Sequence, residues 1–348
     1  MNNNKLIQSV NIERDESLDA LKAISIIFVL FWHLQPIKFV ISANTHVLMK
    51  IADQIVKIFE VQLSLTAVPI FYIVSLYLYF QKKPNIEYLQ KRILNLIKIF
   101  VFWQLIQNIF FVLVTKQAPP LSWDNIMGAK PDLPLFGGSV FYFLFDLIIL
   151  IIIAFIYQLI NSNTVMKIIN FGFILFFIAY FELLCIQKLN LPHYDLRNFI
   201  IYIPIAFGFA NYKNKIIKFK LIFLLLYILS SIHDIYLRAD DYPLSIYARI
   251  SIVFGALTIF CFTCILKIKY NSLLQTIAKY TLGVFAFHKY WQCLFLLLIR
   301  NLGIDNSNIL FSEINLIFVY IIQAPVVILG TIFSIYLFKL VGLSKFVS

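Results

Sequence analysis

Residues 17–33, SLDALKAISIIFVLFWH, decide how this chain is read. A charged foot, Asp19 and Lys22, runs into an apolar helix that carries one histidine, His33, far along it. On an α-helix the residues from Lys22 to His33 rise about 16 Å and turn three revolutions plus about 20°, so the two side chains share a face. Asp19 falls within about 40° of the same face. An ionisable group inside an apolar span is costly, which makes His33 the first functional candidate.

The rest of the chain has the same apolar character. Of 348 residues, 61% are hydrophobic and only 13% charged, and 36 are Phe. Soluble domains carry about 25% charged residues, so this balance excludes a soluble enzyme core and indicates a polytopic membrane protein. Ten apolar runs are expected to span the bilayer, at 20–40, 63–80, 93–114, 139–160, 168–186, 197–210, 219–236, 247–266, 281–299 and 313–339. The fold class is therefore an all-α integral membrane protein of about ten transmembrane helices. Pro204 and Gly208 are expected to kink the sixth run, and Pro325 lies inside the last. The polar N-terminus has no basic region leading into a short apolar stretch, so no removable signal is read. The domain division is a tail at 1–19, a membrane domain at 20–340 and a short tail at 341–348.

The net charge of +12 suggests nucleic acid at first sight, but the cations sit in short loops between spans. They read better as topology signals and as attraction to anionic lipid headgroups. With the N-terminus inside, sixteen Lys and Arg fall in inside segments and ten in outside ones, and the dense groups at 82–92 and 213–220 share a side. Both termini are expected to be cytoplasmic, with His33 in the outer half of the membrane.

The four cysteines lie in apolar runs. Cys261 and Cys264 have CxxC spacing without nearby His or carboxylate ligands, so small core residues are expected rather than a metal or redox site. Acidic and aromatic groups gather in two outer loops, one with Trp123, Asp124 and Asp132, the other with Asp234, Asp240 and Asp241. Aromatic faces beside carboxylates suit sugar rings and hydroxyls, and they equally suit an interfacial belt with solvated turns. The segment at 42–62 has helical apolar spacing and is expected to form a surface helix. Asp146, Glu182 and Lys289 are further ionisable groups inside apolar runs.

Several stretches now combine. LDALK is followed by ten residues and His33. VPIFYIVSLYL occupies the second span, and a basic loop leads into YLQKRILNLIKIFVFW. GGSVFYFLFDL opens the fourth span, and TLGVFAFHKYW lies in the ninth. In this order they resemble the acyltransferase 3 family, membrane enzymes that O-acylate surface polysaccharides and other extracytoplasmic acceptors. The resemblance implies that His33 is the essential histidine of an Arg-x10-His pattern, with Lys22 in the arginine position. The paired-arginine motif is matched at Arg92 and broken at Asn95. The Phe-Phe-x-x-Ser-Gly motif survives as Phe71, Tyr72 and Ser75, with Leu76 in place of glycine. The Tyr-x-x-His motif appears as Phe285 to His288. No SGNH-type esterase domain is expected after the last span.

The implied enzyme is an O-acetyltransferase of a bacterial inner membrane. Its donor substrate is acetyl-CoA or another acyl-CoA, no cofactor or metal is bound, and the acceptor is a free or lipid-linked glycan such as an O-antigen or capsule. The polyanionic donor needs cations at the inner surface, and Lys22, Lys91 and Arg92, with Lys98 and Lys279, are the candidates; Asp19 and Ser75 are expected in the same donor site. A neutral His33 is placed to take a hydroxyl proton, or to accept the acyl group itself. His288, Asp146, Trp123 and Asp124 are candidates for acceptor contact or support. A glycan or lipid-linked-sugar transporter shares the spans and outer aromatics, but it does not need a histidine opposite a basic foot. A polysaccharide polymerase should carry a large, arginine-paired outer loop, which is missing here.

Overall fold

The computed structural model describes residues 16–37, 46–160, 163–239, 243–266, 272–302 and 313–348. Asp240, Asp241 and the tail before Glu16 lie outside the described residues. The described residues hold thirteen α-helices, with short 3₁₀ and π-helical segments, and no strand beyond an isolated bridge. They are α1 (Glu16–Leu34), α2 (Val47–Ile58), α3 (Ala67–Phe80), α4 (Ile86–Thr115), α5 (Trp123–Ile126), α6 (Tyr142–Gln158), α7 (Asn163–Ile186), α8 (Tyr202–Ile216), α9 (Lys220–Ala239), α10 (Ile250–Ile265), α11 (Ser272–Lys279), α12 (Thr281–Asn301) and α13 (Glu313–Leu340). Each of the ten expected apolar runs overlaps one of these helices. Seven helical stretches are long and apolar enough to cross a membrane by length and composition, while α6 and α10 are apolar but shorter.

Sequence chemistry sets the boundaries. Asn85 caps α4 by accepting the Glu87 N–H at 2.8 Å, and Lys116 ends it in the left-handed region with φ 59°. At 30 residues α4 is about 45 Å long, more than a hydrocarbon core of about 30 Å, so its polar first turns, with Lys91 and Arg92, extend beyond the lipid tails. In α8 the non-helical residue is Tyr212 (φ −134°, ψ 25°), rather than Pro204 or Gly208. Pro204 falls in the first turn of the helix, where its missing N–H costs nothing. The surface helix expected at 42–62 forms as α2 but does not stop there. A π-helical segment, Phe59–Leu63, and a 3₁₀ turn, Ser64–Thr66, carry it into α3.

The centre of the bundle is α1, which packs against α3, α10, α11 and α12. α3 is apolar on all sides and buried almost throughout, as a helix enclosed by others must be. α4, α7, α9 and α13 instead expose long rows of Leu, Ile and Phe, the face a membrane helix offers to lipid. Near the His33 end of α1, buried Arg249 pairs with buried Asp234 at 3.0 Å and donates to the Val61 carbonyl at 2.9 Å. Ser251 and Gln62 donate to the same carboxylate oxygen. The cation is thus a clamp between α9, α10 and the π-helical segment, not a solvated loop residue as the topology count assumed.

The C-terminal residues also fold back. Trp103 Nε1 donates to the Phe346 carbonyl at 2.9 Å, Gly283 N–H donates to the Val347 carbonyl at 3.0 Å, and Val347 is fully buried. A side chain on Gly283 would place its Cβ 2.9 Å from Val347 and from Ile335, which is why only glycine fits there. This packing brings Ser348 to the Lys22 end of the bundle.

Candidate active site

Two sites lie at the two ends of α1. At the Lys22 end a pocket of about 240 Å³ is lined by Lys22, Arg92, Lys279 and Ser75, with Ser348 at its edge. Of the expected donor-binding residues, Lys22, Arg92, Lys279 and Ser75 meet here. Lys91 and Lys98 are exposed on α4 and do not line it, and Asp19 supports it by pairing with Lys22 at 3.8 Å. Arg92 lines the pocket as a permanent cation, and its Nε is buried with no hydrogen-bond partner among the described residues. The other walls are apolar: Phe71 from α3, Phe143 from α6 and Phe285 from α12. A cationic mouth over an aromatic interior suits a molecule with an anionic head and a less polar arm.

His288 stands one helical turn beyond Phe285, a rise of about 4.5 Å. Its ring centre lies 6.2 Å from that of Phe285 and 5.0 Å from that of His33. α1 is helical from Glu16 to Leu34 without a break, so Lys22 and His33 keep the separation of about 16 Å expected from the sequence. Gln292 fixes the end of α1 by donating to the His33 carbonyl at 2.7 Å. The His33 imidazole itself has no hydrogen-bond partner among the described residues, which argues against a purely packing role.

The tautomer of His288 follows from its partner. Its Nδ1 lies 3.1 Å from the Val284 carbonyl, which can only accept, so Nδ1 carries the proton. Nε2 is then left with a lone pair, and it is buried with no partner among the described residues. Two imidazoles at ring contact, one with a free basic nitrogen, can take a proton from a hydroxyl and hold it.

A cap built from residues 129–141 covers these rings. Leu133 and Gly137 exchange backbone hydrogen bonds around a tight turn, with Leu135 at φ 62° and Gly137 at φ 91°. The turn presents Phe136, whose ring lies 5.5 Å from His33. Two helices hold the cap down. From α12, Lys289 donates to the Gly138 carbonyl and sits 4.2 Å over the Phe136 ring, and Cys293 Sγ lies 3.4 Å from the Pro134 carbonyl. From α4, Gln104 and Gln107, one turn apart, donate to the Lys130 and Pro131 carbonyls at 3.0 Å. This accounts for Lys289, an intramembrane charge without a role in the sequence: its ammonium satisfies a carbonyl and an aromatic face.

His193, a third histidine, was not among the sequence candidates. It lies on the loop between α7 and α8, its ring 5.3 Å from Tyr142, and it interacts electrostatically with His33. Burial, and next the Lys289 ammonium, push its imidazole below the usual range. The signal was the short PHYD run in a loop between two spans, an ordinary turn sequence until folding brings it against Tyr142 and within electrostatic reach of His33. Asp146 lies one turn inward of Tyr142 on α6, fully buried, with the Tyr72 and Tyr142 hydroxyls as its neighbours. Asp124 accepts from the Tyr194 hydroxyl at 3.4 Å and so ties the cap region to the His193 loop. Trp123 is exposed and its ring meets Phe145.

The family comparison matches residues 15–340 to the acyltransferase domain of the acyltransferase 3 family, from the residue before α1 to the last residue of α13. No curated protein and no solved structure matches the chain. With nearly its whole length within that family, this chain belongs to the acyltransferase 3 family of membrane acyltransferases.

Proposed function

We propose that this acyltransferase moves an acetyl group from acetyl-CoA, bound at the Lys22 end, to a hydroxyl of a glycan approaching from the His33 end. The observation that carries the reading is the alignment of the two sites along α1. A cationic pocket with an aromatic interior ends one helical turn below His288, and His288 is in ring contact with His33. In this reading ten helices span a bacterial inner membrane with both termini cytoplasmic, and residues 20–340 form the catalytic domain.

Lys22, Arg92 and Lys279 hold the donor phosphates, Arg92 with a planar fork and the lysines as point charges. The pantetheine arm passes Phe71, Phe143 and Phe285 and brings the thioester carbonyl to the two imidazoles. The acceptor oxygen attacks that carbonyl while its proton passes to His33. The tetrahedral centre then expels the thiolate, which recovers the proton. Nε2 of His288 accepts a hydrogen bond from the ring or the hydroxyl that carries the proton at each stage. An acyl-His33 intermediate would use the same groups in two steps. The Phe136 turn excludes water, which would otherwise compete as acceptor.

The test is to express the wild type and His33→Ala in a host displaying a defined glycan and to examine that glycan by NMR for O-acetyl groups. Acetylation by the wild type alone is expected. Equal acetylation by both proteins contradicts the role of His33, and acetylation by neither contradicts the choice of donor or acceptor.

A further inference from the structure

A second pocket, of about 450 Å³, shares no described residue with the Lys22 pocket and lies where α2, the π-helical segment and α9 meet. Its walls include Lys57, Ile58, Gln62, Ile235 and Arg238. It belongs to the His33 end of the bundle. Phe31, two residues before His33, packs its ring 4.5 Å from Phe59, the neighbour of Ile58 in the chain.

Three observations define what fits. The first is charge: among the described lining residues Lys57 and Arg238 are charged and none is a carboxylate. Lys57 is compensated by Asp53 at 2.7 Å, while Arg238 forms no ion pair among the described residues. The second is an unused acceptor. Gln62 is only 2% exposed, and its amide nitrogen donates to Asp234 at 3.4 Å. The same Asp234 oxygen is held by Arg249 and Ser251, so the amide cannot turn round without setting two acceptors against each other. Gln62 Oε1 is thereby fixed, buried and without a partner among the described residues, and it calls for a hydroxyl or N–H. The third is apolar. Ile228, Ile232 and Ile235 follow at i, i+4 and i+7 on α9, all exposed, as a stripe that runs from the pocket wall towards the Lys220 end of the helix.

We infer that this pocket holds the headgroup of an anionic membrane lipid. The phosphate sits at Arg238 and Lys57, a headgroup hydroxyl donates to Gln62 Oε1, and the chain lies along the Ile228–Ile235 stripe. A free anion would leave the stripe unused, and a neutral lipid would leave the guanidinium unused. Two lipids share the required chemistry, a glycerophospholipid with a hydroxylated headgroup and a sugar carried on a polyisoprenyl phosphate. The inference does not depend on acetyl transfer, because its readout is binding.

The experiment uses the full-length protein, delipidated in a neutral detergent. It is titrated separately with phosphatidylglycerol, a polyisoprenyl-phosphate sugar and phosphatidylcholine, and bound lipid is counted by native mass spectrometry for the wild type and Arg238→Gln. Arg238 is exposed, so the variant should fold, and its melting temperature checks this. The wild type should hold an anionic hydroxylated lipid about tenfold more tightly than phosphatidylcholine, and Arg238→Gln should lose that preference. Preference for the isoprenyl lipid identifies the pocket as a dock for a lipid-borne acceptor, and preference for phosphatidylglycerol identifies it as a phospholipid site. Either result supports the inference. Equal binding of all three lipids, unchanged binding by Arg238→Gln, or displacement by inorganic phosphate alone overturns it.

Discussion

Arg92 offers the sharpest test of the proposed donor pocket. Of the three cations there, Lys22 is already paired with Asp19, and Lys279 lies 5.4 Å from the Tyr280 ring centre. Arg92 alone brings a guanidinium, and its Nε is buried without a partner among the described residues. Arg92→Gln removes the charge and the fork together. A charge-assisted hydrogen bond contributes about 1.5–3 kcal/mol, so the donor KM should rise about 10- to 100-fold. Arg92→Lys keeps the charge but loses the second parallel hydrogen bond and should fall between, near tenfold. Neither change touches the imidazoles, so kcat at saturating donor should stay within about twofold. The assay follows free thiol released by the purified enzyme as acetyl-CoA is varied at fixed acceptor. A fall in kcat with KM unchanged would refute the reasoning, because it would place Arg92 at the chemical step. So would an unchanged KM in Arg92→Gln.

The other expectations concern the opposite end and the packing. His288→Phe keeps an aromatic ring but removes Nε2, so kcat should drop about 10²- to 10⁴-fold with little change in donor KM; equal losses in both would point to collapse of the pocket instead. The neutral form of His193 is favoured on folding, so its contribution is complete above about pH 6.5, the unfolded value, and is lost as the pH falls below it. Between about pH 7 and about pH 5 the melting temperature of the wild type should therefore fall more than that of His193→Gln, and parallel curves would remove His193 from the account. Arg249→Met should destabilise by about 3–5 kcal/mol by stranding buried Asp234, and adding Asp234→Leu should recover part of the loss in denaturant melts. At Gly330 a new Cβ would come within 2.3 Å of the Trp291 ring, so Gly330→Ala should cost about 1–3 kcal/mol in the same measurement.

The helices were legible because membrane spans declare themselves by length and apolarity, and each expected run overlaps a helix. α1 was legible in more detail, since helical geometry alone fixes which residues share the face of Lys22 and His33. The Lys22 pocket, proposed above to bind the donor, was legible only in part. Arg92 and Ser75 carried motif positions, but the difference between Lys91, exposed, and Arg92, turned inward, is a rotation of about 100° that the sequence does not weigh. The cap was not legible. Gln104 and Gln107 read as polar interruptions of an apolar helix, and only folding shows that they satisfy loop carbonyls about 25 residues away. His193 and Gln62 were hidden for the same reason, because their partners are distant in the chain. The expected surface helix failed to stop because a π-helical turn, which has no simple composition, carries it into α3.

The central claim is transfer along α1 from the Lys22 end to the His33 end. The most direct measurement uses sealed proteoliposomes of one protein orientation, with isotope-labelled acetyl-CoA supplied only on the Lys22 side and a hydroxylated acceptor glycan only on the other. Mass spectrometry then counts label on the acceptor for the wild type and His33→Ala. The account predicts label on the acceptor with the wild type and none with His33→Ala. Label appearing with both proteins, or only when donor and acceptor share a side, would contradict it.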